Sequence, residues 1–355
     1  MKKKGLSLLL IIIMFISVGC GTKKSNVKVN VFDIDEALKI SDTYMEQLTL
    51  GNSDEANKLT DSKLKDNNEF EKLKKNEIYG YVKKDVAEST DHAYINYKVI
   101  RGDRDGLRSD LDLISVRVKK KDNDYIIDEV KAKNSKQVYV EKNSLRIRDE
   151  ESGKSEVLIR LKDLPREVYP KKKDVVLGKE TVPDGDFNEV SMGFDGNKAA
   201  MSTTDGNKTF IAIAMVEDTK QTAGSAQDGG AKSSDEDIDK AIDDALEKPI
   251  ADKVIGYDII GDSKIEKLLF SADDGELLVQ IKQGEKGSKI KIYKNPTGEL
   301  YKLDLESKFP NDKYSCNIKR ITKDGVFIDV SSLTDEKGEE GEYKLDLKAI
   351  EINKL

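Results

Sequence analysis

Two cysteines and one histidine are the side chains of this sequence that could act as nucleophile, metal ligand or general base. Cys20 follows an apolar run, Cys316 lies in a strand-like run, and His92 is far from both in the chain. Most acyl-transfer and zinc-hydrolase mechanisms need a nucleophile beside a base, or several His and Cys ligands. The sequence therefore predicts no catalytic residue, no metal site and no cofactor, and we expect Cys316 to be a packed or surface thiol.

Carboxylates are the remaining groups that could catalyse a reaction, because the chain has 68 Asp and Glu residues. A glycosidase with two carboxylates stays open on this ground, although the absence of Trp removes the usual platform for sugar stacking. Asp103, Asp105, Asp110 and Asp112 crowd one region. Their spacing does not match a calcium-binding loop, which needs a third oxygen ligand before its glycine. We expect no metal there.

The N-terminal residues have the composition of an export signal. Lys2, Lys3 and Lys4 precede the apolar run Leu6–Val18, whose 13 residues would span roughly 20 Å as a helix. This length falls short of a hydrocarbon core of about 30 Å. The run is therefore typical of a signal peptide rather than of a membrane span.

The residues Ser17-Val18-Gly19-Cys20 resemble the lipobox of bacterial lipoprotein precursors of the Gram-positive type. In that family a diacylglyceryl group is attached to the cysteine sulfur, and a signal peptidase cleaves between the residues that match Gly19 and Cys20. The sequence departs from the family at Ser17, where Leu is usual. The resemblance implies lipidation of Cys20 by a palmitate-type anchor on the extracytoplasmic face of the cell membrane. It also implies a signal peptide at 1–19 and a polar tether at 20–31.

The rest of the chain is acidic. The net charge is −7, and removal of the three signal lysines makes it −10. A body of this charge repels phosphate backbones and anionic headgroups. Nucleic acid is therefore excluded as an expected partner, and the lipid anchor is the expected contact with the membrane.

Residues 32–135 combine helical and strand-like patterns. Asp33 and Glu36 form a capping-box pattern before residues at helical spacing, and Gly51 offers a stop. Strand-like runs follow at Ile78–Glu88, Ala93–Val99, Leu111–Lys120 and Tyr125–Lys133. Helices followed by antiparallel strands indicate an α+β module.

This order resembles the NTF2-like (cystatin-like) fold, and the residues that carry the resemblance are Tyr44–Leu59 and Val116–Ile127. Tyr125 stands where the family often has Trp. The resemblance implies a cone-shaped cavity, for which Tyr44 and Tyr97 are candidate lining residues, with a place in the core as the alternative. The strand alternation puts His92 on the face opposite Tyr97, towards solvent.

Residues 138–355 contain repeated antiparallel patterns. Val138–Arg148 is followed by Glu156–Lys162 as an expected strand pair. Glu189–Met215 and Glu266–Tyr293 each have the order strand, Asp/Gly turn, strand, Gly turn, strand, and Cys316–Leu347 is a partial third copy. The rhythm resembles the blades of WD40- and TolB-type propellers, without a Trp-Asp marker. A flexible insert is expected near 219–235, followed by a short helix at 235–247.

Together these patterns predict an N-terminal NTF2-like α+β module (32–135) and a mainly antiparallel β module (138–355) that is a partial propeller or β-sandwich. The expected function is that of a membrane-anchored extracytoplasmic lipoprotein, a binding or interaction module of the cell envelope with an envelope protein as partner. No enzyme is expected. The alternatives are an envelope enzyme that uses carboxylates in the cone and a ligand-binding accessory of a transport system.

Overall fold

The computed structural model describes residues 32–64, 76–103, 107–122, 124–169, 178–216, 247–334 and 338–355. Strands hold 57% and helices 12% of these residues. The predicted signal peptide, tether and flexible insert, and nearly all of the predicted helix at 235–247, lie outside the described residues. Asp33–Leu355 form one compact unit.

The helices of the described residues are α1 (Ile34–Thr49), α2 (Ser53–Lys58) and the single turn α3 (Leu305–Lys308), with 3-10 turns at Ser62–Leu64 and Leu161–Asp163. The strands are β1 (Glu77–Glu88), β2 (His92–Asp103), β3 (Arg108–Lys121), β4 (Asp124–Glu141), β5 (Ser144–Asp149), β6 (Lys154–Arg160), β7 (Glu167–Val168), β8 (Glu180–Thr181), β9 (Asp186–Met192), β10 (Lys198–Thr204), β11 (Lys208–Met215), β12 (Lys253–Gly261), β13 (Lys264–Phe270), β14 (Glu276–Lys282), β15 (Lys289–Lys294), β16 (Tyr314–Thr322), β17 (Gly325–Ser332), β18 (Gly341–Asp346) and β19 (Glu351–Lys354).

The strands form one large sheet and three small ones. The large sheet has ten strands in the order β19-β18-β17-β16-β1-β2-β3-β4-β5-β6. A four-stranded sheet has the order β12-β11-β10-β9, a three-stranded sheet the order β13-β14-β15, and β7 pairs with β8. The large sheet is mixed because β1 and β16 are parallel, at Gly80 and Ile321, whereas its other neighbouring strands are antiparallel.

The predicted fold class is therefore wrong. No separate NTF2-like α+β module stands at the N-terminal side of the described residues, because β1–β4 share a sheet with β16–β19. Strand β4 also runs straight through the expected boundary between 135 and 138. Nor is the later part a self-contained partial propeller or sandwich, since six of its strands complete the large sheet. Alternation reports which face of a strand is buried, but not which strand is its neighbour.

Several local predictions are confirmed. The burial of β2 alternates as expected, with Ala93, Ile95, Tyr97 and Val99 inside. The three predicted repeats are antiparallel meanders, made by β9–β11, by β13–β15 and by β16–β18. The prediction of one strand over Val138–Arg148 is wrong, because the chain turns at Lys142, where φ is +54°, and starts β5 two residues later.

The four-stranded sheet is the middle layer of the packing. Alternate residues of β11 enter two different cores: Phe210 and Ala212 join the core shared with the large sheet, and Ile211 and Ile213 join the core shared with the three-stranded sheet. A strand that is buried on both faces needs a continuous apolar run, and Phe210–Ala214 is such a run. This explains why β11 lacks the alternation of apolar and polar residues that is typical of a half-exposed strand.

A buried carboxylate connects the small sheets at the turn between β9 and β10. Asp274, in the turn before β14, accepts hydrogen bonds from the backbone N–H groups of Phe194 and Asp195, each at 2.8 Å. From the large sheet, Lys98 donates to the carbonyl of Phe194 at 2.8 Å and Lys136 to that of Gly196 at 3.1 Å. Burial, and then the nearby Asp195 carboxylate, raise the pKa of Asp274 to about 6.

This raised pKa predicts a pH dependence of stability. The folded chain holds the Asp274 proton more tightly than the unfolded chain, in which the carboxyl titrates near pH 3.9. Its contribution to folding is therefore present below about pH 4 and lost as the pH rises through about 6. We expect the free energy of unfolding of the wild type, measured by urea denaturation, to fall by about 2 to 3 kcal/mol relative to Asp274→Asn over this range.

The matched control is Asp205→Asn. Backbone N–H groups of Lys208 and Asn207 donate to Asp205 in an exposed turn, and they lower its pKa. The contribution of Asp205 is thus present above its unfolded pKa and lost as the pH falls. The difference in unfolding free energy between the wild type and Asp205→Asn should therefore change with pH in the opposite direction to that for Asp274→Asn. If both differences changed in the same direction, the raised pKa of Asp274 would be contradicted.

Candidate functional site

A long open groove of about 780 Å³ lies beside helix α1. We call it the helix groove. Its walls come from α1, from β1 and β2, and from the hairpin of β16 and β17. They are lined by Asp35, Leu38, Lys39, Asp42, Thr43, Glu46, Tyr81, Lys83, Lys84, Asp85, Val86, Tyr97, Arg320, Thr322, Lys323, Asp324 and Phe327.

Helix α1 supplies a row of carboxylates to this groove. Asp35, Asp42 and Glu46 recur at helical spacing, while the opposite side of the helix buries its apolar residues. Asp33 caps the helix, since its carboxylate accepts from the backbone N–H of Asp35 at 3.0 Å and of Glu36 at 3.4 Å. The cap fixes where the helix begins and therefore which side chains face the groove.

Asp42 is held from two sides. The Tyr97 hydroxyl donates to its Oδ1 at 2.7 Å, and Lys83 Nζ lies 2.9 Å from its Oδ2. The same hydroxyl lies 2.9 Å from Oγ of Ser41. Burial and the Asp42 charge raise the pKa of Tyr97. Tyr97 therefore stays protonated near neutral pH and serves as a fixed donor.

Glu46 makes the second ion pair of the groove, with Arg320 from β16. The guanidinium of Arg320 also stacks over Phe327, 3.9 Å from the ring centroid. Arg320 is buried although it is charged, so its carboxylate partner and the aromatic ring compensate for lost hydration. This pair joins residues that are 274 positions apart in the chain.

Tyr81 is a further aromatic residue in the wall of the helix groove. Its ring contacts the ring of Tyr97 edge-on, with centroids 5.8 Å apart. Burial raises the pKa of Tyr81, and the carboxylates of Glu46 and Asp42 raise it further. Tyr81 thus places a neutral, half-buried phenol in the wall of the groove, which suits hydrogen bonding to a polar ligand.

A second groove of about 620 Å³ lies on the other side of the Lys323–Asp324 turn. We call it the turn groove. It shares Lys83, Thr322, Lys323 and Asp324 with the helix groove. Its remaining wall is lined by Val82, Ser271, Ala272, Asp273, Glu276, Gly325, Val326, Lys344, Asp346, Leu347, Lys348 and Ala349. Burial raises the pKa of Glu276.

The structure separates the two tyrosines that the sequence proposed as pocket lining. Tyr97 is among the residues that line the helix groove, although its ring is buried. Tyr44 is fully buried between α1 and the sheet, and it is not among the residues that line the groove. Gly19 and Cys20, the predicted cleavage and lipidation residues, lie outside the described residues.

The other side chains that the sequence offered for chemistry lie outside both grooves. Cys316 is buried, and burial raises its pKa to about 12, so the thiol is not poised as a nucleophile. His92 lies on the face away from Tyr97, 29% exposed, with its Nδ1 2.8 Å from Asp91. Asp110 and Asp112 are buried but pair with Arg108 and Arg101.

Neither a metal-binding cluster nor a membrane-spanning helix occurs within the described ranges. Within them, no three His, Cys, Asp or Glu side chains come together in a way that could hold a metal ion. In the same part of the chain, no helix has the length and apolarity needed to cross a membrane.

Sequence reasoning missed Arg320, because a β-bulge interrupts the alternation of β16. Cys316, Ile318 and Ile321 lie on the face that packs in the core, and the register shift between Ile318 and Arg320 puts Arg320 on the other face, beside Phe327. A cation at a buried position of a strand requires a carboxylate partner. Which carboxylate it meets depends on the pairing of β1 with β16, and the local pattern does not contain that information.

Comparisons with known proteins identify no relative by sequence. No family model matches the chain. No curated protein matches it either.

Distant likenesses to solved structures exist. A puromycin hydrolase is 9% identical, with a TM-score of 0.31 over 76% of this chain and 46% of that one. A puromycin-hydrolyzing peptidase of Mycobacterium tuberculosis is 11% identical, with a TM-score of 0.22 over 79% and 52%. TolB of Acinetobacter baumannii is 11% identical, with a TM-score of 0.19 over 70% and 75%. The chain thus spans about half the length of the two hydrolases. These values establish neither a shared fold nor an activity, and they do not exclude an enzymatic role.

The position of Tyr97 predicts a stability effect. Tyr97→Phe removes the hydroxyl that bridges Ser41 and Asp42 at a fully buried ring, and we expect a loss of about 1 to 2 kcal/mol in the free energy of unfolding. Urea denaturation measures it. The control is Tyr94→Phe, whose half-buried hydroxyl makes longer hydrogen bonds on the other face of β2, so about 0.5 kcal/mol or less is expected. Equal losses would show that the Tyr97 network adds nothing specific.

Proposed function

We propose that this chain is an extracytoplasmic lipoprotein, held to the cell membrane through a lipid on Cys20, that serves as a binding or interaction module of the cell envelope. The observation that carries the binding role is the helix groove. It is wide, open and lined by five basic and five acidic side chains. Small-molecule pockets are mostly apolar and enclose their ligand, whereas open polar surfaces with aromatic anchors are typical of protein interfaces.

The paired charges of the groove also indicate the kind of ligand. Asp42 and Glu46 are engaged by Lys83 and Arg320, so the surface presents neutral pairs rather than an excess of one sign. Such a surface selects a partner by shape and hydrogen bonding instead of by net charge. A polar segment of an envelope protein fits this description better than a polyanion does.

The geometry gives less support to the alternatives. An enzyme that uses carboxylates in the cone needs a carboxylate available to a substrate, and both oxygens of Asp42 are already engaged by Tyr97 and Lys83. An accessory of a transport system was the other alternative, and its usual alternation of strands and helices is not visible among the described strands, which are mostly joined as hairpins.

The anchor is tested by metabolic labelling with a fatty-acid probe. Because only a thiol at position 20 can form the thioether, we expect Cys20→Ala to lose the label and to leave the membrane fraction together. Cys316→Ser is the matched control, since it removes a buried thiol and should keep both properties. Retention of Cys20→Ala in the membrane fraction would contradict the lipid anchor.

The binding role is tested by site-specific photo-cross-linking in intact cells. A photoreactive phenylalanine at Lys39 or Thr43, both in the wall of the helix groove, should give a discrete cross-linked product with an envelope protein. The same residue at Lys131, which is exposed on β4 and lines neither groove, should give none. If the groove positions give no product, or only that of the control, the groove is not the interaction surface.

A further inference from the structure

Strand β1 has a strand neighbour along its whole length on only one side. It pairs with β2 from Glu77 to Glu88 but meets β16 at the single position Gly80–Ile321. A Cβ at Gly80 would lie 2.7 Å from the carbonyl oxygen of Ile321, so the glycine permits this close crossing. Beyond it, β16 ends at Thr322 while β1 continues.

Residues 82–88 therefore form an open strand edge within the described part of the chain. In such an edge, alternate residues direct their N–H and C=O groups to the place of the next strand. At about 3.4 Å per residue the edge is roughly 24 Å long, enough for a guest strand of six or seven residues. The exposure of Val86, at 39%, agrees with the missing neighbour.

The two grooves lie on the two faces at the start of this edge. Val82 lines the turn groove and Lys83 borders both grooves, whereas Lys84, Asp85 and Val86 line only the helix groove. In an added strand, successive side chains point to opposite faces. A guest strand beside β1 would thus place alternate side chains in the helix groove, and opposite Val82 and Lys83 it would place a side chain in the turn groove.

We propose that the partner contributes an extended peptide segment, which adds to residues 82–88 of β1 as a further strand. This deepens the proposed function and rests on it. Main-chain hydrogen bonds provide the affinity in this mode of recognition, and pockets for alternate side chains provide the specificity.

The walls define the chemistry of the segment. Side chains that enter the helix groove are polar or charged, because they meet the ion pairs of Asp42 and Glu46. A side chain that enters the turn groove meets an apolar strip that includes Val82, Leu347 and Ala349 and is bordered by charged residues, so a small apolar side chain fits the strip. The partner segment therefore combines polar side chains with a small apolar one opposite Val82.

A second copy of the chain fits the edge less well. Lys83 and Lys84 lie on the edge, and the register with β2 shifts between Lys83 and Asp85. Lysines and bulges on an edge oppose its pairing with another folded sheet. A free peptide can follow the local twist, whereas an identical rigid edge cannot.

The test uses the full chain and peptides of about twelve residues, selected from a random phage-displayed library and then synthesised. We expect bound peptide to slow amide hydrogen exchange in residues 82–88 by about tenfold or more. Thr43→Trp and Ala349→Trp, which fill the helix groove and the turn groove, should each weaken peptide binding by about tenfold or more. Thr334→Trp is the control at an exposed site outside both grooves and should bind as the wild type does.

Four outcomes would overturn the proposal. They are recovery of no peptide, protection that falls outside 82–88, unchanged binding by both tryptophan variants, and protection, before any peptide is added, of those amides of 82–88 that do not bond to β2. In the last case, protection that depends on protein concentration identifies a second copy, and protection that does not identifies another segment of this chain. The cross-linking at Lys39 and Thr43 is independent of these readouts. Failure of the strand-addition proposal can therefore be distinguished from failure of the proposed binding role.

Discussion

The arrangement of the sheets depends on one buried carboxylate. Asp274 accepts from two consecutive backbone N–H groups at the turn of Phe194 and Asp195, and the ammonium groups of Lys98 and Lys136 hold carbonyls of the same turn. Three sheets therefore meet at backbone atoms rather than at interchangeable apolar side chains. Hydrogen bonds to backbone groups specify position closely, because the donor directions are fixed by the peptide planes. The apolar cores on both sides of β11 supply most of the burial. The contacts at this turn fix how the three sheets are aligned with one another.

The helix groove is built on the large sheet and α1. The large sheet carries β1 and β2, with Tyr81, Lys83 and Tyr97, and the same sheet carries Arg320 on β16. Lys267 of the three-stranded sheet donates to the carbonyl of Ile318 at 3.0 Å and thereby ties β16 to its neighbours. The groove is therefore a product of tertiary assembly, and no single segment of the chain contains it.

The sequence predicted local features better than global ones. The alternation of β2 and the Asp/Gly turns of the repeats depend only on residues that are adjacent in sequence. The hairpins at Glu189–Met215 and Glu266–Tyr293 could therefore be predicted. No local sequence pattern indicates the parallel pairing of β1 with β16, because each strand would bury its apolar face equally well beside other strands. The division into two modules failed for this reason.

The site was predictable to a similar extent. Tyr97 could be proposed as a lining residue or as a core residue, and in the structure its buried ring also borders the helix groove. Tyr44 has the same residue type but occupies the centre of the packing, and its position one turn along α1 from Ser41 decides this. Arg320 and Glu46 could not be paired in advance, because only the completed sheet brings them together.

The distance in sequence between the two walls of the helix groove has a consequence for biosynthesis. A chain synthesised from its N-terminus presents α1 and β1–β6 long before β16 and β17 emerge. Until then Tyr81 and the groove side of α1 lack the wall that β16 and β17 supply. The edge of β1 is then open from Glu77 onwards. A chain that lacks β16 therefore has a longer open edge on β1, and the arrival of β16 both shortens this edge and brings Arg320 to Glu46.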